Sequence, residues 1–123
     1  MGLVRIDGSD SFSFADGDKV VMSITETVQE NCVIIGLSGE LRSETVHAFQ
    51  DELFALVSVG MDVVINLKET TYISSAYMKA LVSAEISIEQ KGKEMTIISL
   101  SDSVAEVFKK TGAMDLLSVK TEE

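Results

Sequence analysis

Residues 62–77 constrain the fold more than any other part of the sequence. A continuous apolar run over residues 63–67 ends in polar residues, and two adjacent serines then precede a helix-type pattern. An apolar run of this kind is typical of the central strand of a parallel sheet. The segment therefore predicts a buried strand that leads to a serine pair, Ser74 and Ser75, at an exposed helix start.

Two strands and a helix are predicted ahead of this segment. Residues 20–28 alternate between apolar and polar side chains, and residues 32–37 are almost all apolar, so we expect an antiparallel hairpin. Ser43 is then predicted to be the N-cap of a first helix. The core face of that helix is predicted from apolar residues three and four positions apart, which are Val46, Phe49, Leu53 and Leu56.

The serine pair is followed by a helix, a strand and a further helix. The second helix has a predicted core stripe of Tyr77, Leu81, Ala84 and Ile88, whereas Glu85 is expected to point away from the core. A strand over residues 95–100 and a third helix capped within residues 101–103 come next. A last short strand is expected at residues 117–119.

This order predicts a single α/β domain of β-β-α-β-α-β-α type, with its bounds at residues 20–119. Strand–helix–strand units favour right-handed crossovers and parallel pairing. We therefore expect a mixed, mostly parallel sheet with the helices packed mainly on one face. Residues 1–19 are interpreted as an N-terminal extension with room for one short strand, and residues 120–123 as a frayed tail.

The charge balance narrows the range of partners. The sequence contains ten lysines and arginines and twenty aspartates and glutamates, so the formal net charge is −10. Such a surface argues against nucleic acid and anionic membranes as partners. No apolar run approaches the length needed to cross a bilayer, and a single thiol, Cys32, fits a reducing cytoplasm.

Motifs for catalysis, cofactors and metals are not found in the sequence. Gly36 and Gly39 lack the lysine and serine of a phosphate-binding loop. His47 is the only histidine and falls on the predicted outer face of the first helix, which leaves Ser74 and Ser75 without a base. We expect no enzymatic activity, no cofactor and no metal site.

The serine pair itself has two interpretations on chemical grounds. Serine is a preferred N-cap, and capping alone explains most serines at helix starts. A hydroxyl at that place is also a position where a phosphate would be tolerated, because the free N–H groups of a helix start bind anions.

The residues around the pair favour the second interpretation through a resemblance. Residues 64–81, with Ile73-Ser74-Ser75-Ala76-Tyr77 at their centre, resemble the signature of the STAS domain, specifically the stand-alone anti-sigma factor antagonists. The likeness continues through residues 91–100 and 104–112, and residues 36–41 are similar to the strand end that precedes the first helix in that family. In this chain Ile73, Ala76 and Tyr77 stand where many members have aspartate, glycine and leucine.

The resemblance implies a cytoplasmic partner switch. An unphosphorylated antagonist binds a serine-kinase anti-sigma factor and frees the sigma factor, the kinase phosphorylates the antagonist, and a serine phosphatase restores it. The first serine of the pair aligns with Ser74, with Ser75 as the alternate. The partner-binding residues implied in this way are Ile73, Ser74, Ser75, Ala76, Tyr77 and Gly39.

Two other functions remain open. A STAS-type scaffold or ligand-binding module without a phosphoswitch is suggested by the altered Ala76-Tyr77 pair, because glycine permits a closer approach of a partner than alanine does. A small enzyme is the third hypothesis, supported only by isolated polar residues.

Overall fold

A computed structural model gives the fold and describes residues 2–5, 11–16, 19–112, 115 and 117–120. Within these residues there are eight strands and three α-helices. The strands are β1 (Gly2–Arg5), β2 (Ser11–Asp16), β3 (Lys19–Val28), β4 (Cys32–Leu41), β5 (Asp62–Asn66), β6 (Thr70–Ile73), β7 (Met95–Ile98) and β8 (Val119–Lys120). The helices are α1 (Val46–Val59), which follows a 3-10 turn at Ser43–Thr45, α2 (Ser75–Gln90) and α3 (Asp102–Thr111).

The strands form one mixed sheet in the order β1-β2-β3-β4-β5-β7-β8, and β6 also pairs with β4. Strands β1 to β4 pair in antiparallel fashion. The pairs β4–β5, β4–β6, β5–β7 and β7–β8 are parallel. The predicted element order and the mostly parallel sheet are confirmed.

One face of the sheet carries the core. Along β4, Val33, Ile35 and Leu37 are buried and alternate with half-buried residues, and Leu41 at the end of the strand is buried as well. The same alternation occurs along β5 and β7, so the apolar run at residues 63–67 has only one fully covered face. Helix residues that include Phe49, Leu81 and Phe108 fill the covered side.

Strands β1, β2 and β6 go beyond the predicted order. Residues 2–5 and 11–16 extend the sheet from the free edge of β3 as two antiparallel strands, where one short strand was expected. The expected polar turn after β5 is short, and residues 70–73 form β6. Residues 121–123 of the predicted tail lie outside the described part, as does the side chain of Leu56.

Two further predictions about single residues were wrong. Ser43 does not cap α1. The 3-10 turn that precedes α1 has Arg42 as its N-cap residue, with an extended backbone, and no side chain makes a capping hydrogen bond there. Glu85 does not face solvent. Its carboxylate is buried and accepts hydrogen bonds from the backbone N–H and the hydroxyl of Ser118, at 3.0 and 2.8 Å, because the segment before β8 packs over it.

Candidate functional site

The three helices begin at one edge of the sheet. Because β4, β5 with β6, and β7 run parallel, their carboxyl ends lie together, and each is followed by the start of α1, α2 or α3. A helix start carries free N–H groups and the positive end of the helix dipole. Three helix starts therefore lie at this edge, and the serine pair is at the start of α2.

Ser74 is the N-cap of α2. Its backbone is extended, and its Oγ accepts a hydrogen bond from the N–H of Tyr77 at 3.4 Å. Its own N–H donates to the carbonyl of Leu41 at 3.0 Å, which fixes the cap against the end of β4. Only 6% of Ser74 is exposed, so its hydroxyl is largely covered in this conformation.

Ser75 is the first residue of α2 and is exposed, while Ala76 beside it is half-buried. The two serines thus differ in role although they are adjacent: Ser74 holds the helix start, and Ser75 faces solvent next to it. The predicted capping by a serine of this pair is confirmed for Ser74.

Ile73 and Tyr77 lie in the core, with 3% and 0% of their surface exposed. The ring of Tyr77 packs against Phe49 with a centroid distance of 5.2 Å, and its hydroxyl lies 2.6 Å from Oγ1 of Thr45. Burial raises the pKa of the Tyr77 phenol above its ordinary value. These two side chains are closed off from any surface that a partner would reach here.

Gly39 shapes the backbone at the place where β6 joins β4. Its φ is +88°, and a Cβ added there would lie 2.3 Å from the carbonyl oxygen of Val21. Its N–H donates to the carbonyl of Glu69 at 3.0 Å. Gly39 therefore permits a close strand approach that any side chain would block.

Two hydroxyls, one on buried Thr70 and one on half-buried Ser101, hold β6 in place. The hydroxyl of Thr70 donates to the carbonyl of Leu37 at 2.7 Å. The hydroxyl of Ser101 donates to the carbonyl of Thr70 at 2.6 Å and accepts from the N–H of Val104 at 3.3 Å, which caps α3. Strand β6, which leads directly to Ser74, is thereby tied to both β4 and α3. The cap of α3 within residues 101–103 was predicted and is confirmed for Ser101, whereas the bonds from Thr70 and Ser101 that secure β6 were not predicted.

Exposed and half-buried residues near the serines line a depression. Its wall is Tyr72, which is 51% exposed, and its rim is formed by Glu40, Arg42, Ser43 and Glu44. The guanidinium of Arg42 forms an ion pair with Glu40, with Nη2 and Oε1 2.6 Å apart. This surface joins the Ser43–Thr45 turn to the end of β6.

In the described part of the chain, no three or more His, Cys, Asp and Glu side chains come together in a way that could hold a metal ion. His47 is exposed on α1. None of the helices described is long and apolar enough to span a membrane.

Comparison with protein families and known proteins gives one consistent result. The family model described as "STAS domain" matches residues 23–123. An anti-sigma-B factor antagonist of Staphylococcus aureus (strain NCTC 8325 / PS 47) is 28% identical over 99 residues, which covers 80% of this chain and 92% of that protein.

Solved structures show the same fold. An anti-sigma factor antagonist from Mycobacterium paratuberculosis has a TM-score of 0.72 at 15% identity, covering 80% of this chain and 84% of that one. The anti-sigma factor antagonist SpoIIAA in its unphosphorylated form has a TM-score of 0.71 at 16% identity, covering 81% and 88%. SpoIIAA of Bacillus in its phosphorylated form has a TM-score of 0.65 at 16% identity, covering 81% and 91%.

Proposed function

The chain belongs to the STAS domain family, and from this premise we propose that it is an anti-sigma factor antagonist that acts by partner switching. Unphosphorylated, it binds a serine-kinase anti-sigma factor in the cytoplasm. The kinase phosphorylates Ser74, with Ser75 as the alternate acceptor, and a serine phosphatase reverses the change. The role is regulatory and not catalytic.

The observation that carries this proposal is the position of the serine pair at the start of α2. Ser74 lies at the N-cap and Ser75 at the first helical residue, on an edge where backbone N–H groups point outward. The first turn of α2 contains no acidic residue. A phosphate there would meet the positive end of the helix dipole without a competing carboxylate in that turn.

The same position explains how binding is lost while the fold is kept. A phosphate adds about −1.5 to −2 charge at neutral pH. In the free protein the free N–H groups of the helix start stabilise this charge once the first turn of α2 has opened, whereas an interface formed around a neutral hydroxyl would have to bury it. Burial of an unpaired charge is strongly unfavourable, so the complex dissociates.

The burial of Ser74 sets a condition on the transfer of phosphate to its hydroxyl. The hydroxyl of Ser74 is largely covered and accepts a hydrogen bond from the N–H of Tyr77. The kinase must therefore open the first turn of α2 to reach this hydroxyl. Ser75 needs no such opening, which is why it remains the alternate acceptor.

The test is phosphorylation in vitro with a candidate serine-kinase anti-sigma factor and ATP, with the phosphate located by mass spectrometry of peptides. We expect one phosphate on Ser74, its loss in Ser74→Ala, and its retention in Ser75→Ala. The absence of phosphate on both serines, together with unchanged kinase binding by Ser74→Asp, would refute the proposal.

A STAS-type scaffold or ligand-binding module without a phosphoswitch is the alternative. The observation that favours it is the covered hydroxyl of Ser74, which is accounted for by capping alone. In that case the wild type takes up no phosphate, and a pull-down recovers a membrane complex in place of a kinase.

A further inference from the structure

Tyr77 connects two segments at the functional edge. Its backbone N–H donates to Oγ of Ser74, and its phenol oxygen lies 2.6 Å from Oγ1 of Thr45. Thr45 ends the Ser43–Thr45 turn that precedes α1. A single residue in the first turn of α2 therefore contacts both the proposed phosphorylation site and the turn beside it.

The direction of these bonds can be assigned. The hydroxyl of Thr45 donates its hydrogen to the carbonyl of Arg42 at 3.1 Å, so it is left to accept from the hydroxyl of Tyr77. Thr45 is 1% exposed and Tyr77 is fully buried. Water has little access to either oxygen, so loss of this bond leaves a buried polar group unpaired.

The turn that this bond holds contributes to the surface beside the serines. Ser43 and Glu44 are exposed, and both line the same depression as Tyr72, which is two residues from Ser74. Arg42, whose carbonyl accepts from Thr45, lies on the same rim. The position of this rim relative to α2 thus depends on buried contacts. The hydrogen bond between Tyr77 and Thr45 is one of them, and it fixes a direction as well as a distance.

We propose that Tyr77 and Thr45 form a hydroxyl latch that positions the Ser43–Thr45 turn against the first turn of α2, so that the kinase anti-sigma factor docks on both turns at once. This inference rests on the proposed function. Tyr77 and Thr45 are positioning residues, because their buried side chains act through the exposed residues Ser43, Glu44 and Ser75. The tyrosine that was predicted from the sequence to touch a partner thereby acts from inside the core.

The test uses Tyr77→Phe and Thr45→Val, each of which removes one hydroxyl, and the double variant. Steady-state phosphorylation by the candidate kinase anti-sigma factor is measured with this protein as the varied substrate. Loss of the hydroxyl weakens docking of the kinase but leaves the transfer of phosphate unchanged. We therefore expect KM to rise about three- to tenfold in each single variant, with kcat within about twofold of wild type. The double variant should be no worse than Thr45→Val alone, because Thr45→Val already removes the bond to Tyr77 together with the donation to the carbonyl of Arg42.

Two controls separate this role from a loss of fold. Thr111→Val removes a hydroxyl that donates to the carbonyl of Val107 at the far end of α3, and its KM should equal that of wild type. Hydrogen exchange at residues 43–45 should speed up in the two latch variants while exchange in the central strands stays slow.

The outcomes distinguish the two proposals. A wild-type protein that is not phosphorylated overturns the proposed function and the latch with it. A phosphorylated wild type whose KM is unchanged in Tyr77→Phe and Thr45→Val overturns the latch alone, and so do additive effects in the double variant.

Discussion

At the scale of single residues, the two adjacent serines differ because of their environment. Ser74 is extended, covered and bonded at both its N–H and its Oγ, whereas Ser75 has entered the helix and is exposed. The sequence predicted a cap and a candidate acceptor within this pair. Which serine caps depends on where the helix begins, and that is fixed by the bond from Ser74 to the carbonyl of Leu41 on a distant strand.

Removal of the cap should destabilise the protein measurably. Ser74→Ala leaves the N–H of Tyr77 without its acceptor, and we expect the free energy of unfolding to fall by about 1 kcal/mol. Ser75→Ala is the matched control, and it should stay within about 0.5 kcal/mol of wild type because Ser75 is exposed. Urea denaturation of both variants measures this. Equal stability of the two would show that Ser74 contributes no cap energy.

At the scale of elements, the strand that leads to Ser74 was the hardest to predict. Residues 70–73 looked like part of a turn after β5, yet they form β6 and pair with β4 beyond a register shift between Gly39 and Glu40. No local pattern indicates that a strand about thirty residues away offers this pairing. The hydroxyls of Thr70 and Ser101 that secure it are long-range contacts of the same kind.

Gly39 gives a sharp test of this junction. Gly39→Ala places a Cβ 2.3 Å from the carbonyl oxygen of Val21 at a φ of +88°, so we expect a loss of at least about 3 kcal/mol in the free energy of unfolding. Gly92→Ala is the control, because φ there is +76° but nothing lies within 4 Å of the added Cβ.

The Gly92→Ala variant should therefore lose only the cost of the left-handed backbone, about 1 kcal/mol. Chemical denaturation of the two variants separates steric clash from backbone strain. If both variants lose the same free energy of unfolding, the close approach of Val21 is not the reason that position 39 requires glycine.

At the scale of the whole molecule, the fold class followed from the sequence because each helix and most strands carry their own periodicity. The central strands, the hairpin of β3 with β4 and most of the described helix-face residues were predicted from spacing, whereas the burial of Glu85 was not. The site was predicted less completely. The serines were identified, but the burial of Ile73 and Tyr77 and the surface formed by the Ser43–Thr45 turn depend on how separate elements pack.

The proposed switch separates binding from folding. The chain already carries a net charge of −10, and one phosphate adds to it at a helix start, where free N–H groups bind anions. The core lies on the covered face of the sheet and does not include the exposed edge of α2 at Ser75. Phosphorylation should therefore alter what the protein binds and leave its stability nearly unchanged.

The most direct measurement compares the unphosphorylated protein with the form phosphorylated on Ser74. Affinity for the candidate kinase anti-sigma factor is measured by calorimetry, and the free energy of unfolding of each form is measured by denaturation. We expect at least about a hundredfold weaker binding of the phosphorylated form, with stability changed by less than about 1 kcal/mol. Equal affinities of the two forms, or a loss of binding that is accompanied by unfolding, would contradict it.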